Sequence, residues 1–108
     1  MRNQVDYSVS GLDDLNRLLA AVADPDEVER VMAQIEQCLT WYDPRLDPTN
    51  TTNCGSVSGP GLLPAPLHTA LRIEVAPLRV FFVVDDKIPP FIMTVVRVEW
   101  MLRATGGP

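Results

Sequence analysis

The sequence lacks the features that define several large classes of protein. No apolar run approaches the ~18 residues of a membrane span, so we expect no membrane segment. The first residues, MRNQVDYSVSG, contain no apolar stretch of the kind found in secretory signals, which predicts a cytoplasmic protein. Cys38, Cys54 and His68 have no metal-binding spacing, so neither a metal nor a cofactor is expected. In a reducing compartment the cysteines are expected as thiols, and a disulfide between them stays open.

Basic charge is also scarce, because nine Lys and Arg residues stand against 14 Asp and Glu, for a formal net charge of −5. Residues 1–65 hold four arginines and ten acids, whereas residues 66–108 hold five basic and four acidic residues. Nonspecific binding to nucleic acid depends on neutralising phosphates, and an acidic chain is not built for it. Any site for RNA or DNA is therefore expected in the C-terminal half.

The N-terminal half contains one predicted strand and two predicted helices. Apolar residues alternate with polar ones in QVDYSV, which predicts a strand at 4–9. A spacing of three and four then predicts a helix at 11–23, with Ser10 as its N-cap. Asp24 caps a second helix, at 25–41, so the two helices form an antiparallel hairpin. The apolar stripe of the first helix comprises Leu12, Leu15, Leu18, Leu19 and Val22.

The C-terminal half begins with a segment at 43–66 that is rich in Pro and Gly and has no apolar periodicity, which predicts a long loop. A period of two then predicts three strands, at 71–75, 78–84 and 91–98. Their short connections favour an antiparallel meander whose apolar face receives the helical hairpin. The sequence therefore predicts a two-layer α+β fold in a single domain over 1–108.

Arg79 is the unexpected residue of the second of these strands, because it interrupts the apolar run APLRVFFVV. One interpretation is structural, namely that Arg79 pairs across the strands with Glu74 or Glu99, a contact worth ~0.2–1 kcal/mol. The other is functional, because the planar guanidinium group suits the binding of phosphate. Arg72 and Arg97 have the same two interpretations, as solvent-facing strand residues or as ligands of an anion.

The order of the elements and two stretches, DPRLDP and LRIEVAPLRVFFVVDDKIPPFIMTVVRV, resemble the RelE/ParE superfamily of toxins from type II toxin–antitoxin modules. Its members have an N-terminal strand, a helical hairpin and a strand core similar to YRVFYxVD, and Leu78 stands where they often have Tyr. The resemblance covers nearly the whole chain except the loop at 43–66. It implies the RelE/ParE-like α+β fold and a small antitoxin protein as partner.

The resemblance also implies an activity, either cleavage of mRNA on the ribosome or inhibition of DNA gyrase. Arg79 stands at the position of the strand arginine that contacts the mRNA phosphate in the ribonuclease members. Arg72 stands where those members place a strand lysine. Arg72, Arg79 and Arg97 are therefore the candidate catalytic residues, as phosphate contacts on one concave face of the sheet.

The sequence departs from the ribonuclease members at two places. Glu74 replaces a second basic residue, and the C-terminal stretch VRVEWMLRATGGP lacks both the Gly-His-Arg or Gly-Lys-Arg segment and the Tyr that follows it. The general acid of the ribonuclease reaction has no obvious counterpart. These departures leave endoribonuclease activity open and favour the gyrase-inhibiting branch or a loss of activity.

Two alternatives to a toxin stay open. The second interpretation is a noncatalytic protein-interaction module that keeps the fold without toxicity, which the acidic charge and the incomplete site favour almost equally. A homodimer formed through the edge that bears Trp100 is the third interpretation, because Trp and Met are enriched at interface centres. The surface charge around Arg79 and the existence of an antitoxin would distinguish the toxin from the noncatalytic interaction module.

Overall fold

The computed structural model describes residues 2–44, 51–52, 55–58, 69–85 and 88–101. Within them the chain forms two helices, α1 at Val9–Ala21 and α2 at Pro25–Trp41. It also forms six strands: β1 at Gln4–Tyr7, β2 at Thr51–Thr52, β3 at Gly55–Ser58, β4 at Leu71–Val75, β5 at Leu78–Asp85 and β6 at Ile92–Trp100.

The strands form one six-stranded sheet in the order β1-β6-β5-β4-β3-β2. β1 is parallel to β6, and the other neighbouring strands are antiparallel. Strands β4, β5 and β6 make a meander, and both helices pack on the same face of it. The predicted two-layer α+β fold, with its N-terminal strand, helical hairpin and three-stranded meander, is therefore confirmed.

The segment at 43–66, expected as one long loop, contains the short strands β2 and β3. β3 pairs with β4 between Ser56–Glu74 and Ser58–Arg72, so it extends the sheet beyond the predicted meander. Backbone hydrogen bonds hold such a pair together, and Gly, Ser and Thr form them as readily as apolar residues do. Apolar periodicity, on which the loop prediction depended, cannot reveal strands of this composition.

The core lies between the helices and the sheet. Fully buried side chains from both layers meet there: Val28, Ile35, Leu39, Ile73, Leu78, Val80, Phe82, Met93 and Val95. The ring of Tyr42 packs edge-on against Phe82, with the ring centroids 6.1 Å apart. Cys38 lies in this core as a buried thiol, whereas Cys54 lies outside the described residues.

The N-cap predicted for α2 is found in the structure, whereas the N-cap of α1 differs from the predicted one. The Asp24 carboxylate accepts a hydrogen bond from the amide of Glu27 at 3.3 Å, as expected of an N-cap. The N-cap of α1 is Ser8 and not Ser10, because the Ser8 hydroxyl accepts from the amide of Gly11 at 3.1 Å. Neither helix is long and apolar enough to cross a membrane.

Helix α1 is turned so that its smallest residue faces the sheet. Gly11 packs against the backbone of β6, where a Cβ atom would collide with the carbonyl group of Val95. This orientation directs Leu12 away from the core, and its side chain is 47% exposed, although the sequence placed it in the apolar stripe. The close approach of Gly11 thus sets which side of α1 is buried.

Polar side chains of α1 bond to the part of β6 that β1 does not reach. β1 pairs only with Ile92 to Val95. Beyond that point the Ser10 hydroxyl donates to the carbonyl of Val96, and the Asp14 carboxylate accepts from the amide of Val98, both at 3.1 Å. Ser10 and Asp14 thus satisfy backbone groups at the edge of a strand.

Asn3 is a buried polar residue that joins three elements. Its side-chain amide donates to the carbonyls of Leu39 and Tyr42, at 2.9 and 2.7 Å, and its side-chain oxygen accepts from the amide of Phe91 at 3.0 Å. Its own backbone amide donates to the carbonyl of Thr40 at 2.8 Å. Asn3 therefore satisfies carbonyls at the end of α2 and fixes that end beside β1 and the entry to β6.

Candidate functional site

The face of the sheet opposite α1 and α2, which we call the helix-free face because neither of these two helices packs on it, presents a cluster of charged side chains. We call five of its residues the charged ladder: Arg72, Glu74, Arg79, Arg97 and Glu99. In its first cross-strand row, Arg79 of β5 lies between Glu74 of β4 and Glu99 of β6. Residues opposite each other on neighbouring strands point to the same face, so this row follows from the register alone.

The second cross-strand row has an aromatic residue at its centre. Phe81 lies between Arg72 and Arg97. The register of β5 and β6 shifts at the next residue, Phe82, which leaves Val96 as the extra residue of a β-bulge. Val96 packs with Phe81 in a small buried cluster outside the main core. The bulge therefore places Arg97 in line with the other charges of this face.

Four ion pairs connect the charged ladder. The Nε atom of Arg79 lies 2.8 Å from Oε2 of Glu74, and its Nη1 atom lies 3.7 Å from Oε1 of Glu99. The Nε atom of Arg97 lies 2.7 Å from Oε2 of Glu99, and the Nε atom of Arg72 lies 3.5 Å from Oε2 of Glu74. Each carboxylate therefore lies between two guanidinium groups, and Arg79 contacts both carboxylates.

The charged ladder is partly exposed, since its side chains are between 27% and 40% accessible. Ion pairs in such positions contribute only about 0–1 kcal/mol each, because water screens them. Three arginines and two glutamates leave one positive charge in excess. An incoming anion at the charged ladder therefore competes with weak internal pairs.

Arg97 and Glu99 also line a shallow cleft with Ser10 and Asp14 of α1. The sequence pattern did not indicate this cleft, because it depends on the bulge in β6 and on the path of α1 along the strand. The cleft gives Arg97 a different environment from Arg72 and Arg79, with a second carboxylate beside it.

The three candidate catalytic residues of the sequence are brought together by the fold. Arg72, Arg79 and Arg97 lie on the same face, on three adjacent strands. The predicted pairing of Arg79 with Glu74 and Glu99 is observed with both partners. Trp100 is in register with the core residue Leu78, so it lies on the helix-bearing side, where it is 40% exposed.

Neither tyrosine belongs to the helix-free face. The Tyr7 hydroxyl donates to the Glu36 carboxylate of α2, and burial together with this bond raises the pKa of Tyr7 above its ordinary value. Tyr42 packs in the core against Phe82. His68 lies outside the described residues. In the part of the chain that the structure describes, the charged ladder therefore has no tyrosine or histidine beside it to act as a general acid.

The described residues also contain no group of three His, Cys, Asp or Glu side chains placed to hold a metal ion. What the charged ladder offers chemically is guanidinium groups. These groups bind carboxylates and phosphates through charge-assisted hydrogen bonds.

The fold has counterparts among solved structures of toxins. The toxin–antitoxin complex RelBE2 from Mycobacterium tuberculosis contains a chain that matches with a TM-score of 0.58 and 15% identity, over 93% of this chain and 99% of that one. The YoeB/ParE toxin from Agrobacterium tumefaciens matches with a TM-score of 0.53 and 12% identity, over 92% and 99% of the two chains. No protein-family model and no curated sequence matches the chain.

These two matches define the class of fold. The chain has the fold of the RelE/ParE-like toxins, as the resemblance in its strand core implied. At 12% to 15% identity the likeness concerns the path of the backbone. What the chain does has to be argued from its own side chains.

Proposed function

We propose that the chain is the toxin-like component of a type II toxin–antitoxin module and acts in the cytoplasm. The observation that carries this proposal is the convergence of the partly exposed Arg72, Arg79 and Arg97 on the helix-free face of a RelE/ParE-like sheet. Cations on a rigid sheet can stabilise charge that develops on a phosphate group. In this proposal the charged ladder is thus the surface that contacts the target.

The partner in this proposal is a small antitoxin protein that covers the charged ladder. The RelBE2 structure is a complex of a toxin with an antitoxin, and its likeness to this chain supports a partner of that kind. A face with both signs of charge, partly exposed, can be matched by a partner of complementary charge.

Two targets fit the toxin-like function, namely translation and DNA gyrase. If the chain cleaves mRNA, the arginines would position the phosphate so that the neighbouring 2′-hydroxyl attacks in line, a reaction that depends largely on orientation. The two glutamates and the missing tyrosine or histidine beside the described ladder count against efficient acid catalysis. They favour inhibition of gyrase, which needs a binding surface and no proton donor.

A noncatalytic interaction module is the second candidate function. The observation that favours it is the set of four ion pairs, in which every arginine of the charged ladder has a carboxylate within 4.0 Å. Such a face can bind a protein segment of alternating charge without any chemistry. In this case the chain would bind an antitoxin-like partner and leave growth unaffected.

Inducible expression in a bacterial host tests the proposed function. The wild type is compared with a variant in which Arg72, Arg79 and Arg97 are changed to Ala, after both are shown to fold by circular dichroism. The wild type is expected to arrest growth, and the triple variant is expected to have lost this effect. Assays of translation and of DNA supercoiling on the purified protein then separate the two targets.

A matched control changes three arginines outside the charged ladder, Arg2, Arg17 and Arg30, to Ala. All three are exposed, so this variant loses the same charge without touching the ladder. It is expected to arrest growth as the wild type does. A folded wild type that leaves growth unaffected would contradict the toxin-like function and favour the interaction module. Arrest by the ladder variant equal to that of the control would instead show that the arginines of the ladder do not carry the toxic effect.

A further inference from the structure

Each glutamate of the charged ladder occupies the space between two arginines. Glu74 lies within 4.0 Å of Arg72 and Arg79, and Glu99 lies within 4.0 Å of Arg79 and Arg97. The carboxylates face the Nε atoms of all three guanidinium groups. A phosphate that approaches the centre of the ladder therefore meets a carboxylate on either side of Arg79.

We infer that Glu74 and Glu99 determine the ligand specificity of the helix-free face, by keeping phosphate groups off the arginines. They do so in two ways, since they occupy donors that a phosphate would use and repel its negative charge at short range. The inference rests on the proposed function, in which this face is the surface that contacts the target. It adds that the isolated protein binds RNA weakly through this face, although the arginines are correctly placed for it.

The ion pairs are unevenly distributed among the arginines. Arg79 has a carboxylate on both sides, whereas the only ion pair of Arg97 within the described residues joins its Nε atom to Glu99. Arg97 also lines the cleft to which Ser10 and Asp14 contribute. Within the described residues, Arg97 is therefore held by fewer ion pairs than Arg79, although Asp14 lines the same cleft.

Arg72 and Arg97 are separated by the width of two strand spacings, or roughly 10 Å. A single phosphate ion cannot contact both, but a flexible single-stranded RNA presents several phosphates in succession. The ligand class that fits this face, once the two glutamates have lost their charge, is therefore the phosphodiester backbone of single-stranded RNA.

Binding of a fluorescein-labelled single-stranded RNA, measured by anisotropy at low salt, tests the inference. The double variant Glu74→Gln/Glu99→Gln keeps the size of both side chains and removes both charges. We expect it to bind the RNA roughly tenfold more tightly than the wild type, because two like charges leave the neighbourhood of the phosphates. Adding Arg72→Ala and Arg97→Ala to this variant is expected to abolish the gain.

The matched control is Asp26→Asn/Glu29→Gln, which removes two exposed acids from α2 and changes the net charge equally. It is expected to shift affinity by less than about twofold, because these residues lie on the helical layer. Equal gains in the two double variants, or a gain that survives removal of the arginines, would overturn the inference. If the double variant does not fold, Glu74→Gln and Glu99→Gln are measured singly, and no gain in either overturns it as well.

This result is independent of growth arrest. Tighter RNA binding by the glutamine variants together with a harmless wild type would refute the proposed function and leave the inference standing. Growth arrest that depends on the arginines, without any gain in the glutamine variants, would refute the inference alone.

Discussion

The two faces of the sheet differ in what holds their side chains in place. On the helix-bearing face, Ile73, Val80 and Phe82 are fully buried under α1 and α2. On the other face, the charged ladder stays partly exposed and its members hold one another through ion pairs. Apolar burial contributes about 25 cal/mol for each Å², whereas exposed ion pairs contribute little. We therefore expect the main core on the helix-bearing face to contribute most of the stability, and the ion pairs of the charged ladder to contribute little.

The strongest test of this difference is Phe82→Ala, on the buried face. Phe82 is fully buried and packs against Tyr42, so its removal leaves a cavity that the two layers cannot close. We expect the free energy of unfolding to fall by about 3–5 kcal/mol, measured by urea denaturation. A loss below about 1 kcal/mol would show that the helices do not pack tightly on this face.

The next largest effect is expected for Asn3→Ala, at the border of the helical layer. The change leaves the carbonyls of Leu39 and Tyr42 and the amide of Phe91 without their side-chain partner. Buried polar groups without partners cost about 1–3 kcal/mol each, and partial access of water reduces the sum, so we expect a loss of about 2–4 kcal/mol. Denaturation of Asn3→Ser, whose hydroxyl can satisfy one partner, is expected to give an intermediate loss. Equal stability of Asn3→Ala and the wild type would contradict the role of Asn3.

The smallest effect is expected for Arg79→Met, on the exposed face. Its removal leaves Glu74 beside Arg72 and Glu99 beside Arg97, so neither carboxylate becomes isolated. We expect the free energy of unfolding to change by less than about 1 kcal/mol in the same urea experiment. A loss comparable to that of Phe82→Ala would mean that the ladder supports the fold, and the contrast between the faces would fail.

Much of the fold could be predicted because it depends on local chemistry. The Asp24 cap, the apolar stripe of α2 and the alternation in β5 each follow from a short stretch of sequence, and each is found in the structure. The predicted N-cap of α1 was wrong by two residues. Ser8 and Ser10 are chemically equivalent as caps, so the choice between them depends on where β1 ends. Strands β2 and β3 were missed because their composition carries no apolar alternation.

The site was predictable in part for the same reason. A strand of alternating character places Arg79 on the face opposite the core and gives it cross-strand neighbours, which is all that its pairing with Glu74 and Glu99 requires. The bulge at Val96 and the cleft shared with α1 depend on tertiary packing and have no local sequence pattern. The single domain, the catalytic role of the arginines and the homodimer through Trp100 stay predictions.

The path of α1 has a consequence for how copies of this protein behave when crowded together. Exposed strand edges recruit strands from neighbouring molecules and so start aggregation, which proteins avoid with short or covered edges. Here the outermost strands, β1 and β2, have only four and two residues. The part of β6 that extends beyond β1 is hydrogen-bonded to Ser10 and Asp14 of α1. A foreign strand would have to displace the Asp14 carboxylate from the Val98 amide before it could pair with β6. Helix α1 thus blocks the edge of the sheet against the addition of strands that would lead to a fibril.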